Sequence, residues 1–419
     1  MNIPEKKIEI MSPVGSYESL HAAIQGGANS VYFGIGNLNM RSRSSANFTM
    51  DDLKTISKIC KEHQIKSYLT LNTIIYNNEI EEMKQIANAA KENGINAVIA
   101  SDSAVLQYLK SIGQEIHLST QCNITNIEAV KFYSHFADVI VTARELSLKQ
   151  VKEIVTQIHA ENICGPSGKL IQIEIFVHGA LCMAVSGKCY ISLDNFGFSA
   201  NRGACLQPCR RAYKVEDYDN ETELMVDNQY IMSPKDLCTI EFLDKIVDAG
   251  VSVFKIEGRG RSPEYVKTVT QCYREAADAV LDGTYSDEKK AEWMERLGKV
   301  YNRGFWDGYY LGRKVGEWTE KYGSLATRKK KYIGKVNNYF SKLSVAEIKI
   351  EASELNLQDE IIISGPTTGV YEDVLQEIRV DLKPTTKAKQ GDVCSIPVKS
   401  EVRRNDKLYI WIENKVDAE

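Results

Sequence analysis

The stretch KSYLTLNTIIYNNEIEEMKQIANAAKENGINAVIASDSAVLQYLKSIGQEIHLS, residues 66–119, decides the fold. Lys66–Leu71, Ala97–Ala100 and Glu115–Ser119 are short apolar runs that read as strands. Glu79–Glu92 and Ser103–Ser111 carry apolar residues at three- and four-residue spacing and read as helices. Gly94 and Gly113 stand where those helices should stop, as glycine does at helix ends because left-handed backbone costs it nothing. Strand, helix, strand, helix, strand is the rhythm of a parallel sheet built from βαβ units.

Outward from this stretch the rhythm continues. Strands are expected at Ile8–Met11, Ser30–Phe33, Asp138–Thr142, Ile171–Val177 and Val253–Glu257. Helices are expected at Tyr17–Gln25, Met50–His63, Ile127–Phe136 and Leu146–His159, with Gly26, Gly27 and Gly250 at helix ends. Eight strands each followed by a helix imply an α/β fold, a closed (β/α)8 TIM-like barrel over residues 1–282. An open doubly wound sheet is the alternative. Against it, Ser12-Pro13-Val14-Gly15 follows the first strand in place of a Gly-rich dinucleotide fingerprint.

One connection is out of scale. Roughly sixty residues with little helical periodicity separate Val177 from a helix expected near Asp236, and loops of that length are usually functional. This insertion after strand 7, residues 178–235, is rich in cysteine. Residues 283–329 form a connecting region with helical and aromatic character. From 330 to 419 short alternating segments are separated by Gly, Pro, Asn and Asp, which reads as a small all-β C-terminal domain, a barrel.

The 419 residues are 43% hydrophobic and 26% charged, with a formal charge of −4, which excludes a globally basic nucleic-acid coat while leaving room for local patches. No apolar run approaches the roughly 18 residues that a bilayer requires. The opening MNIPEKKIEI has no apolar core of a signal peptide, so a cytoplasmic protein is expected. Ten cysteines in such a chain point to metal or redox chemistry before disulfides.

Cys182, Cys189, Cys205, Cys209 and Cys238 crowd into and just beyond the insertion. Thiolates converging at the C-terminal mouth of a barrel suit a soft metal or an iron–sulfur cluster. Structural zinc usually takes a tight pair two to four residues apart, and only Cys205 and Cys209 approximate one, so spacing favours a 4Fe-4S cluster over Zn. Cys60, Cys122, Cys164, Cys272 and Cys394 stand alone and read as small buried hydrophobes.

The segment EIFVHGALCMAVSGKCYIS, Glu174–Ser192, resembles the signature of the collagenase-like peptidase family. NRGACLQPCRRAYKV, MSPKDLC, VFKIEGRGRSPEYV and RGFWDGYYLG resemble it in order and spacing, so the likeness spans nearly the whole chain. Within the family the chain is most similar to bacterial proteins that form 5-hydroxyuridine in tRNA. The resemblance implies oxygen-independent hydroxylation of a wobble uridine, with tRNA as partner and a prephenate-related hydroxyl donor. It also implies a 4Fe-4S cluster held by Cys182, Cys189, Cys205 and Cys238, with Cys209 a fifth candidate and the choice between Cys205 and Cys209 open.

The family name also implies proteolysis. The chain has no HExxH, no GxSxG and no convincing Ser/His/Asp set among six histidines. A zinc-ordered RNA-binding protein is a third reading. Polar residues expected at strand ends are Ser12, Asn72, Asp102, Gln121, Arg144, Glu145, His178, Glu257 and Arg259. Of these, Arg144 is a candidate anion clamp, Glu257 a candidate general base, and His178 either a base or a structural histidine. For RNA, the candidate phosphate contacts are Arg202, Arg210 and Arg211 in the insertion and Lys330 at the domain join.

Overall fold

The computed structural model describes residues 8–43, 47–214, 229–312 and 316–414. Eight parallel strands form the barrel wall: β1 (Glu9–Pro13), β2 (Ser30–Gly34), β3 (Lys66–Leu71), β4 (Ala97–Ala100), β5 (Glu115–Leu118), β6 (Val139–Val141), β7 (Gln172–Gly179) and β9 (Val253–Ile256). Neighbours pair in sequence order, and β9 closes the ring by pairing with both β1 (Glu9 opposite Val253) and β7 (Glu174 opposite Val253). The open-sheet alternative is thereby removed. These strands are buried almost throughout, as parallel strands covered by helices must be.

The covering helices are α1 (Tyr17–Gln25), α2 (Asp52–Glu62), α3 (Ile80–Glu92), α4 (Ser103–Ser111), α5 (Ile127–Tyr133), α6 (Leu148–Ala160), α7 (Ile191–Phe196), α8 (Leu243–Asp248), α9 (Pro263–Asp282) and α10 (Asp287–Gly298). Their starts are set locally. Ser16, Asp102 and Asn126 accept backbone N–H bonds from the first turns of α1, α4 and α5, and Ser147 with Gln150 makes a reciprocal capping box on α6.

Two features depart from the sequence reading. Asp236 begins no helix: β8 (Asp236–Cys238) is a short strand antiparallel to β7, and the helix follows at Leu243. Nor is the region after residue 282 only a connector. Its β10 (Phe305–Trp306) pairs with β8, and Tyr310 donates its hydroxyl to Phe176 O at 2.7 Å. Phe305, Trp306, Tyr309 and Tyr310 are packed onto the barrel.

Met11, Tyr32, Tyr68, Ala97, Ile99, Val139 and Val253 form a separate buried cluster in the lumen. Among them lies a buried ionic set. Lys255 Nζ is 2.6 Å from Glu174 Oε1, and Glu174 Oε2 faces His117 Nδ1 at 3.7 Å. Burial alone would raise the Glu174 carboxyl, but Lys255 and His117 outweigh it and hold it below the usual range.

The C-terminal unit is an eight-stranded antiparallel sheet centred on β11 (Arg328–Phe340) and β12 (Val345–Ile350), with its own apolar core. Among the described residues no ladder joins its end strands, Gly369–Val374 and Lys383–Thr385, so the sheet is open where the sequence pattern suggests a barrel. It docks on α1 and α9. Gln25 bonds Thr368 O and Val370 N, and Lys267 bonds Val370 O.

Candidate active site

A cavity of about 150 Å³ opens at the C-terminal ends of the barrel strands, the face where barrel enzymes carry their chemistry. The insertion roofs it. Cys182, Cys189, Cys205 and Cys209 all line it. Its floor is ionic: Arg41, Arg144, Lys255, Glu257 and Arg259.

Glycines allow the roof to close down. Gly187, in the turn between Cys182 and Cys189, has φ +77°, and a β-carbon there would overlap Gln121 Oε1. Gly203 has φ +72°, and a β-carbon there would overlap Asn39 O. Only glycine tolerates both the backbone conformation and the close approach. Arg210 then ties the two ends of the insertion together. Its guanidinium donates to Leu181 O at 2.6 Å, to Ser233 Oγ at 3.0 Å and to Pro234 O. The backbone N–H of Gln207 donates to Cys205 Sγ at 3.3 Å and orients that sulfur at the cavity wall.

The structure brings together three of the four cysteines expected as ligands and separates the fourth. Burial pushes the Cys209 thiol up and Arg210 opposes this; Cys182, Cys205 and Cys189 each act on it too, so the four sulfurs share one neighbourhood. Cys238 is elsewhere. Its sulfur lies 3.8 Å from both Met294 Sδ and the Tyr273 hydroxyl, against α10 and α9, and burial pushes it up to about 12. Cys209 thus occupies the neighbourhood that the sequence reading gave to Cys238. Among the described residues, no three His, Cys, Asp or Glu side chains are gathered closely enough to hold a single metal ion. The four thiols line a cavity and do not meet at a point. That donor set fits a cluster whose four irons each take one thiolate better than it fits one zinc ion.

Glu257 accepts from Arg41 Nε at 3.2 Å and Nη2 at 2.8 Å. Burial would raise this carboxyl, but Arg41, then Arg261 and Arg144, pull it down to about 2. Glu257 is therefore a fixed anion, which makes it a poor general base near neutral pH. Arg144 lies 4.2 Å over the Phe176 ring, and its buried Nε has no hydrogen-bond partner. Arg144 also lines the cavity, so the rest of its guanidinium can meet an anion there. Arg259 Nη1 donates to Thr70 Oγ1 at 2.7 Å and Asn39 Oδ1 at 3.1 Å.

His178 does not line the cavity. Its ring packs among Tyr265, Tyr273 and Phe305, and burial lowers it to about 3, so it is a neutral structural histidine. Asn72 and Gln121 do line the cavity, whereas Ser12 bonds Thr270 and Asp102 caps α4. Arg41 was missed by the sequence reading because it follows no strand closely. Its link to Glu257 spans most of the barrel sequence.

Of the expected RNA contacts, Arg202 is engaged with Glu79 and stacks on Tyr76 at 4.3 Å. Arg210 is buried in the insertion, and Lys330 is 3.0 Å from Glu264. Arg211 remains exposed, 4.9 Å over the Phe196 ring.

Residues 15–320 match the model of Peptidase family U32. The chain belongs to this family. Among U32 relatives, a Porphyromonas gingivalis protein named collagenase is 58% identical over 98% of both chains. A Bacillus subtilis protein named tRNA hydroxylation protein P1 is 32% identical over 71% of this chain and 69% of its own length. An Escherichia coli protein named 23S rRNA 5-hydroxycytidine C2501 synthase is 35% identical, covering 67% of this chain and 41% of its own. The names of the family and its members mark this U32 protein as an enzyme, and no helix among the described residues is long and apolar enough to cross a membrane.

Proposed function

We propose that this U32 protein is an iron–sulfur RNA-modifying enzyme that hydroxylates a tRNA wobble uridine to 5-hydroxyuridine in the cytoplasm, with a prephenate-related acid as hydroxyl source. The observation that carries the reading is the cavity itself: four thiols on its roof and a cationic floor at the catalytic face of a barrel. Relatives named for hydroxylation of tRNA and rRNA support it.

Cys182, Cys189, Cys205 and Cys209 would hold a 4Fe-4S cluster, which supplies redox-active or Lewis-acidic iron when bound. The chain's own residues do the rest. Arg144 offers its guanidinium, at the cavity wall, to a carboxylate of the donor. Glu257 stays ionised and fixes Arg41 in place. The cavity beneath the roof leaves space for about one ring-sized group.

Two measurements test this. Protein purified without oxygen should be brown and carry iron and sulfide in equal amounts. Nucleoside mass spectrometry on a strain lacking this gene and any second U32 gene should show loss of hydroxylated wobble uridines, restored by the wild-type gene. Hydroxylated uridine at normal levels in that strain would overturn the reading.

The 58%-identical relative's name favours a second reading, proteolysis. The cavity argues against it. Ser119 and Ser186 line it, but no histidine does among the described residues, so neither hydroxyl has a histidine base. Gelatin cleavage by the pure protein that is lost on changing Ser119 or Ser186 to Ala would restore that reading.

A further inference from the structure

With Arg202, Arg210 and Lys330 committed to partners within the fold, an RNA strand needs other cations. A second depression, of about 510 Å³, adjoins the cysteine cavity and shares Cys205, Gln207 and Arg210 with it. Its walls carry Arg43, Arg211, Arg303 and Lys321 together with Tyr301 and Tyr322, and no carboxylate lines it among the described residues. In a chain of net charge −4, such a one-sign lining is a concentrated local field.

The cations are held in place. Arg43 lies 3.9 Å over the Phe198 ring and Arg211 lies 4.9 Å over Phe196. Stacking of this kind occupies a guanidinium face and not its N–H edge, which is the edge that phosphate accepts from. Arg303 is fixed by Asp236 at 3.3 Å and stands 5.2 Å from the Tyr301 ring. Tyr322 is 73% exposed at the rim, a flat apolar surface in water beside fixed positive charge. Fixed cations that track a backbone, together with an exposed aromatic face, are what single-stranded nucleic acid binds. An acidic peptide would use the charge but has no use for the ring.

We propose that this depression is the strand groove of an RNA site. Phosphodiester oxygens lie against Arg43 and Arg211, an unpaired base stacks on Tyr322, and the neighbouring base is directed past Cys205 into the cysteine cavity. The proposal rests on the RNA-modification reading and adds to it where the strand runs.

The test uses anaerobically purified full-length protein and a short fluorescein-labelled single-stranded RNA, with anisotropy followed across salt. On a single strand, each phosphate that a cation neutralises adds about 0.7 to the slope of log affinity against log salt. Arg43→Gln with Arg211→Gln should therefore flatten the slope by about 1.4, and wild type should lose about sevenfold more affinity than this variant between about 50 and 200 mM salt. Tyr322→Ala should weaken binding about fivefold or more with the slope unchanged. Lys54→Gln with Lys149→Gln, an equal loss of charge on α2 and α6, should change neither. If the double variant loses its iron, Arg43→Gln alone, outside the insertion, carries the test with half the slope change. RNA binding with a wild-type slope in every groove variant overturns the groove and leaves the RNA reading intact. Wild-type protein that binds no RNA at any salt overturns both. Polyglutamate bound through the same arginines in place of RNA would overturn the proposal in favour of a polypeptide groove.

Discussion

Eight of the ten cysteines fall into two populations; Cys122 and Cys164, read from sequence as buried hydrophobes, are half-buried and belong to neither. Cys182, Cys189, Cys205 and Cys209 face an open cavity with an ionic floor at the barrel mouth, near arginines and a backbone donor. Cys60, Cys238, Cys272 and Cys394 are buried in packed apolar surroundings, where burial pushes each thiol up to about 12. The side chain is the same, but at the mouth it is a potential ligand, and in the core it is a small hydrophobe. Cys238 shows that proximity in sequence does not assign membership. It lies next to the insertion yet belongs to the second population, because β8 turns it toward Tyr273 and Met294.

The sharpest way to break this division is by metal content. Cys189→Ala and Cys209→Ala should each lose nearly all iron and sulfide, whereas Cys238→Ala should keep both and lose about 1 kcal/mol of stability or a little more from the small void. Iron retained in Cys209→Ala but lost in Cys238→Ala would reverse the assignment. A smaller effect is expected in alkylation of the metal-free protein. A shift from 9.0 to about 12 cuts the thiolate fraction of Cys60, Cys238 and Cys394 about a thousandfold. Peptide mass spectrometry after iodoacetamide should show these three labelled that much more slowly than free cysteine, with the mouth thiols modified first.

The floor beneath the cavity offers a third test. Lys255→Met should destabilise the barrel by about 3–5 kcal/mol in chemical denaturation, because it leaves Glu174 charged and buried without its cation. The pH dependence has a definite sign. The Glu174 carboxyl is held below its ordinary 4.5, so in wild type its contribution is complete above that pH and declines as pH falls below it. In the variant, acidification should instead recover stability, since protonation removes the uncompensated charge. A smaller effect belongs to the periphery. Lys330→Ala leaves the buried Glu264 without its half-buried cation and should cost about 1–2 kcal/mol, with RNA affinity unchanged.

Much of this was legible before any coordinates. Tyr17–Gln25, Ser103–Ser111, Lys66–Leu71 and Ala97–Ala100 fall at the residues their periodicity marks, because capping side chains, glycine stops and apolar spacing act over a few residues. The short strand at Asp236 was not legible. Three residues carry no period, and their strand exists only because β7 and β10 flank it.

The sequence by itself determined the alternation of strands and helices, the cysteine-rich insertion and the change to an all-β unit near residue 330, since each rests on local composition and spacing. Only the tertiary structure decided that β9 closes the ring, that Cys209 and not Cys238 joins the mouth thiols, and that Arg202, Arg210 and Lys330 are already partnered. Those outcomes depend on which surfaces meet across hundreds of residues, and no local pattern encodes the direction in which a side chain points once they do.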